Sequence, residues 1–192
     1  MRSDPTILAF DTSAAHCAAA LLVGGAITQV TVEAMAKGQA ERLMPLLQDV
    51  MTTAGLSFDD LDAVAVGVGP GNFTGIRIAV SAARGLALAL EIPAIGVSTF
   101  DAIHHLHPDA LAAVPAPRDH LYVRRAGGAP DYRHRDTLTA APVLPPSPTA
   151  LVTAMAQIAA TADPGPAPAP LYIKPADAAP SRDAPPVLLD DA

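Results

Sequence analysis

The chain has no tryptophan, one cysteine, and aromatic residues at only 4% of 192 positions. Any core must therefore be aliphatic, and the 51% hydrophobic composition, rich in alanine, supplies it. The single Cys17 excludes a disulfide within the chain and a zinc site built on cysteines, and it suits a reducing compartment. Positive charge is scarce: 12 Lys and Arg stand against 19 Asp and Glu, giving a net charge of −7. That balance repels a polyanion at long range and argues against autonomous nucleic-acid binding, so an RNA role would need a basic partner. No signal segment or unbroken apolar run of membrane length is read, since Arg84 interrupts the best stretch; the expectation is a soluble, cytoplasmic protein. After Gly96 only Gly127, Gly128 and Gly165 occur, too few for the second-half phosphate and adenosine loops of a two-lobed nucleotide enzyme.

What is present centres on one stretch. Val64, Val66 and Val68 run into Gly69, Pro70, Gly71, Asn72, Phe73, Thr74 and Gly75, and then into an apolar segment to Leu90. This reads as strand, tight loop and helix, with the glycines expected at positive φ and Pro70 stiffening the turn. Free N–H groups at the start of such a helix suit an anion; alternatively, the glycines only let helix and strand pack closely. The helix from Thr74 to Leu90 is apolar nearly all round. Ile76, Val80, Ala83, Ala87 and Leu90 form one stripe and Ile78, Ala82 and Leu86 another, so it is buried in its own domain or against a partner. Arg77 and Arg84 share a face from which they could reach carboxylates across an interface, or simply be solvated.

Before this stretch, Thr6 to Phe10 is a compact strand ended by Asp11-Thr12-Ser13. Ala18 to Val23 and Ile27 to Val32 form a hairpin about Gly24-Gly25. Gln39 to Ala54 is an amphipathic helix with Leu43, Leu46, Leu47 and Val50 on one face; Pro45 implies that its regular part begins near Arg42. After it, Ile92 to Val97 is a buried strand and Ser98 to His107 a short helix ending in His104, His105 and His107. Adjacent helical histidines diverge by about 100°, so the three cannot face one ion, and no metal site is assigned.

The strings Gly67-Val68-Gly69-Pro70-Gly71-Asn72-Phe73-Thr74-Gly75-Ile76-Arg77, Ile7-Leu8-Ala9-Phe10-Asp11-Thr12-Ser13 and Glu41-Arg42-Leu43-Met44-Pro45 resemble the bacterial TsaB (YeaZ) family, densely over the first hundred residues. The resemblance implies an actin-like, ribonuclease-H-like α/β fold of the ASKHA class. Its N-terminal domain, a mixed sheet flanked by helices, would span 1–107, with a truncated, degenerate α/β subdomain at 108–175 and an extended or disordered tail at 176–192. It also implies a non-catalytic scaffold that pairs with the related TsaD and supports threonylcarbamoyl transfer to adenosine beside the tRNA anticodon. A TsaE-like ATPase would join the complex, a homodimer is expected when the chain is alone, and tRNA would be met only through the complex.

Under this resemblance the partner face comprises Leu43, Leu46, Leu47 and Val50 of the first helix. From the second it takes Ile76, Arg77, Val80, Ala83, Arg84 and Ala87. Thr99 and Ile103 stand where TsaD carries two metal-binding histidines, which removes that site. Asp11, Thr12 and Ser13 resemble the first phosphate loop of the superfamily or simply cap a turn. With Gly69 to Gly75 they are the expected structural or anion-binding loops, ATP or ADP being held, if at all, at the TsaD interface. An actin-like ATPase or phosphotransferase and a peptidase are the alternatives; no catalytic residue is assigned, and Ser13, Ser81 and Ser98 lack the turn that exposes a serine nucleophile.

The second half is proline-rich. Leu111 to Val114, Leu121 to Arg125 and the neighbourhood of Tyr132 read as weak strands, Thr149 to Ala160 as a helix, and Leu171-Tyr172-Ile173 as a candidate edge strand. Arg118, Arg124, Arg125, Arg133 and Arg135 form a candidate tRNA or partner-facing patch, interleaved with Asp119, Asp131 and Asp136, which also suits a solvated mixed-charge surface.

Overall fold

The structure is a computed structural model and describes residues 4–173. The tail expected at 176–192 lies outside the described residues. The chain opens with β1 (Ile7–Asp11), β2 (His16–Val23) and β3 (Ala26–Ala34) as an antiparallel meander. Gly24 and Gly25, at φ +58° and +77°, join β2 to β3; this left-handed pair matches the twist of the flanking strands. Helix α1 (Gln39–Thr53) crosses to β4 (Ala63–Gly67), and α2 (Phe73–Leu90) crosses to β5 (Ala94–Val97). Both crossovers make parallel pairs, so the five-stranded sheet runs β3-β2-β1-β4-β5.

Alternation along β1 decides what covers each face. Leu8 and Phe10 point into a cluster with Leu43, Leu46, Leu47 and Val50 of α1 and Ile76, Val80 and Ala83 of α2. Ile7 and Ala9 point the other way, into a cluster with Leu151, Val152, Met155 and Ala159 of α4 (Pro148–Thr161). The large aliphatic residues of this core are almost wholly buried, each contributing about 1.5–3 kcal/mol by leaving water. Helix α4, far along the chain, thus closes the second face of the first sheet.

Between these parts, α3 (Thr99–Leu106) leads into β6 (Leu111–Ala116), β7 (His120–Arg124), β8 (Asp131–His134) and β9 (Pro142–Val143). They form a second, four-stranded sheet in the order β8-β7-β6-β9. Its cores are small: Phe100, Ile103, Ala112 and Val114 on one side, Ala113, Leu121 and Val123 on the other.

Three local expectations are corrected. Helix α1 begins at Gln39 with Gly38 as its N-cap, so Pro45 lies inside it; its ring is on the solvent side, where the lost N–H bond is tolerated. Residues 171–173 add no strand, although the Leu171 N–H donates to the Val68 carbonyl at 2.8 Å. Finally, α2 is, by length and composition alone, a helix apolar enough to cross a membrane despite Arg77 and Arg84, yet one of its stripes packs on the sheet.

Candidate functional site

The ends of β1 and β4 meet because small residues let two loops approach to backbone contact. Asp11, 1% exposed, sits against Gly67, where a Cβ would lie 1.8 Å from its Oδ2. At Gly75 a Cβ would lie 1.8 Å from the Thr12 carbonyl oxygen, and at Gly71 one would lie 2.5 Å from that of Ser13. Of the three loop glycines expected at positive φ, only Gly69 is there, at +90°; Gly71 and Gly75 are glycine because no side chain fits.

Hydrogen bonds complete the junction. The Thr12 hydroxyl donates to the Gly75 carbonyl at 2.7 Å, and the Asn72 N–H to the Ser13 carbonyl at 2.6 Å. The Asn72 side chain caps α2 by accepting from the Gly75 N–H at 2.9 Å. Thr99, at the head of α3, donates its N–H to the Gly69 carbonyl at 2.9 Å and its hydroxyl to that of Pro70 at 3.2 Å. The N–H groups of Asn72, Gly75 and Ile76 are therefore already engaged by the protein itself. Thr74 stays exposed and lines a groove of about 450 Å³ with Lys37 and Gln39.

Asp11 Oδ1 accepts from the Ser13 N–H and hydroxyl, both at 2.9 Å, and lies 2.8 Å from His16 Nε2. His16, 6% exposed, was not singled out in the sequence; its five-residue spacing from Asp11 across a turn was the available signal. Ser13 and His16 both bond to one carboxylate oxygen rather than to each other. This is not the series arrangement in which histidine removes a serine proton, so the geometry offers no activated nucleophile. Ser13, His16, Pro70, Asn72 and Thr99 open onto a cleft of about 440 Å³, closed on the far side by Val114, Pro115, Pro145, Pro146 and Leu151.

The positions aligned with metal ligands hold Thr99, 5% exposed and bonded as described, and Ile103, 1% exposed in the small core. Beyond them, His104 Nε2 lies 3.3 Å from the Ala110 carbonyl and His105 Nε2 lies 3.1 Å from Gln157 Oε1, so the two rings turn to different partners. Asp101 caps α3 with Ser98 and accepts a hydrogen bond from Arg124, whose guanidinium lies 5.0 Å from the Phe100 ring centre. Burial pushes the Asp101 carboxyl up, but the bonds from Ser98 and Arg124 outweigh it and hold it below the usual carboxylate range. Arg124 thus ties α3 to the second sheet and leaves the surface patch expected for it. Burial, with Glu33 adding, pushes the Cys17 thiol up to about 11, so it is an inert core residue.

The expected partner face divides. Leu43, Leu46, Leu47, Val50, Ile76, Val80 and Ala83 are all under 4% exposed and pack on the chain's own sheet, because the apolar stripe of each crossover helix must cover the strands it connects. They are corrected from partner-facing to core. Arg77 and Arg84 are exposed and Ala87 half-exposed, with Leu88, 82% exposed, beside them. Arg77 lies 3.8 Å over the Phe73 ring and donates to the Tyr172 hydroxyl at 2.8 Å, while Arg84 has no ion pair among the described residues.

The family model of TsaD, tRNA N6-adenosine threonylcarbamoyltransferase, matches residues 28–132, more than half of the chain. The tRNA threonylcarbamoyladenosine biosynthesis protein TsaB of Escherichia coli K12 is 45% identical over 93 residues, covering 48% of this chain and 40% of that protein. The protein of the same name from Haemophilus influenzae is 33% identical over 123 residues, covering 61% and 52%. The chain therefore spans about half the length of the curated relatives it matches. The solved structure of YeaZ from Pseudomonas aeruginosa superposes with a TM-score of 0.70 at 26% identity, over 88% of this chain and all of that one. A helix-covered mixed α/β fold, the matched family model and these relatives agree: the chain belongs to the TsaB (YeaZ) family of TsaD-like proteins.

Proposed function

We propose that this chain is a non-catalytic subunit that pairs with a TsaD-like transferase and supports threonylcarbamoyl transfer to adenosine in tRNA, a TsaE-like ATPase acting on the assembly. The names of its relatives motivate the pathway. The observation that carries the pairing is the outer side of α2, where Leu88 is 82% exposed and Ile78, Ala82, Leu86 and Ala87 are only half-buried in the chain's own fold. Such a face is stabilised by a partner. Thr99 and Ile103, committed to the loop and the core, support the non-catalytic part of the reading. In this reading residues 1–107 carry the pairing face, with α4 completing the core beneath it, the assembly is cytoplasmic, and a homodimer forms through the same face when the partner is absent.

The test is light scattering of the purified chain with TsaD from the same source. A stoichiometric heterodimer is expected. Leu88→Arg and Arg84→Glu should abolish it while leaving the fold intact, since both side chains are exposed. Normal pairing by both variants would sink this interface. One observation favours a second reading, nucleotide binding without turnover: the 440 Å³ cleft beside Asp11, Ser13 and His16. Calorimetric titration of the chain and of its complex with ATP or ADP checks it, and no heat in either overturns it.

A further inference from the structure

The ribbon of β7 and β8 gathers four rings and two arginines near one tip, away from the junction; of the rings, Tyr122 also packs against the small cluster under α3. Cross-strand pairing sets His120 opposite His134 and Tyr122 opposite Tyr132. Their four rings form one cluster, all half-buried. His120 lies parallel to Tyr132 at 4.5 Å between centres, His134 meets His120 edge-on at 5.0 Å, and Tyr122 tilts against Tyr132 at 5.5 Å. Two arginines bracket the same tip. Arg118 is in the turn before β7, its carbonyl 2.6 Å from His120 Nδ1, and the Arg135 N–H donates to the Asp119 carbonyl at 2.9 Å.

Arg118 and Arg135 are exposed and have no ion pair among the described residues. The nearby acids are partly engaged elsewhere: Asp131 takes Arg133 at 2.6 Å, and Asp136 lies 3.7 Å from His134. Between residues 117 and 137 five arginines stand against three aspartates, the reverse of the chain as a whole. Stacked rings beside unpaired guanidiniums suit an unpaired nucleotide, whose base needs a ring face and whose phosphate needs a cation. A duplex hides its base faces, and an acidic peptide would engage the arginines but leave the rings idle.

We propose that the β7–β8 tip is a contact for unpaired RNA nucleotides, with the His120–Tyr132 stack receiving a base and Arg118 and Arg135 the flanking phosphates. The choice of RNA over other polyanions rests on the proposed tRNA role. The contact is local and works against the net charge of −7, so it is weak alone and salt-sensitive.

The experiment is fluorescence anisotropy of the full chain at low salt with a labelled polyuridylate of about 12 nucleotides. A duplex of equal length and polyglutamate serve as competitors. The single strand should bind in preference to both. The double variant Arg118→Glu, Arg135→Glu should weaken it by about tenfold or more. Tyr132→Leu should weaken it by at least about fivefold, the lower end of one stacked base, and Tyr132→Phe should retain it. Both arginines are surface residues, so the double variant keeps the fold and decides the matter if Tyr132→Leu does not fold. Absence of single-strand binding, equal competition by polyglutamate or duplex, or an arginine variant that binds like the parent overturns the proposal. Light scattering with the TsaD-like partner is run on the same variants: intact pairing without RNA binding removes this contact and leaves the proposed pairing standing.

Discussion

The two sheets solve the same problem with different means. The first is covered on both faces by helices, and its junction is so tight that three glycines are required by contact rather than by backbone freedom. The second is covered by α3 on one side, held there by the Phe100 and Ile103 cluster and by Arg124 on Asp101, and its two clusters are small. The difference teaches where stability and adaptability reside: a sheet buried on both faces is a cooperative unit, whereas a half-covered one opens at lower cost. Of the seven Phe and Tyr side chains, Phe10 is buried in the first sheet and Phe100 in the small cluster under the second, while the paired Tyr122 and Tyr132 sit half-buried on the open ribbon.

The comparison is broken most severely at the junction. Gly75→Ala places a Cβ against the Thr12 backbone, which no rotamer relieves, and should cost about 3 kcal/mol or more, seen as loss of cooperative thermal unfolding or a sharply lowered midpoint. If Gly75→Ala unfolds like the parent, the two loops are not in contact. Next in size, Leu47→Ala leaves a cavity under the first sheet and should cost about 2–5 kcal/mol in urea unfolding. The same truncation at exposed Leu88 should change stability by less than about 0.5 kcal/mol. Equal losses at the two positions would mean that α1 and α2 do not sit as described.

The smallest effect sharpens the other half of the comparison. Asp101 titrates lower when folded than when unfolded, so its contribution is present above the unfolded value of about 4 and is lost as the pH falls through the folded value. Acidification below about pH 4 should therefore loosen α3 from the second sheet, and Arg124→Met should remove part of that pH dependence, the bonds from Ser98 keeping the rest, with a stability change of about 1 kcal/mol. Amide hydrogen exchange measures it: amides of β6 and β7 should exchange faster while those of β1 and β4 are unchanged. Uniform acceleration across both sheets would show that they open as one.

Most of the elements were legible in the residues because their signals are local. Short apolar runs ended by turn residues mark β1, β2 and β4, a stripe at three and four residues marks α1 and α2, and Gly24-Gly25 marks the hairpin to β3. The junction was legible as a loop but not as a contact, since nothing near Gly75 in the chain announces Thr12. His16 was missed because its spacing from Asp11 is a weak signal on its own, and only the turn between β1 and β2 brings its ring to the carboxylate.

The sequence by itself determined most of the strands and helices, that the core is aliphatic, and which family the glycine loop resembles, because each depends on residues a few positions apart. Only the tertiary structure decided which stripe of α1 and α2 is spent on the sheet, that α4 returns to cover its second face, that Arg124 turns inward to Asp101, and that His120, Tyr132 and His134 gather into one cluster of rings. Hydrophobic periodicity states that a face will be buried; what it is buried against depends on chain segments a hundred residues away, and that information exists only once they have packed.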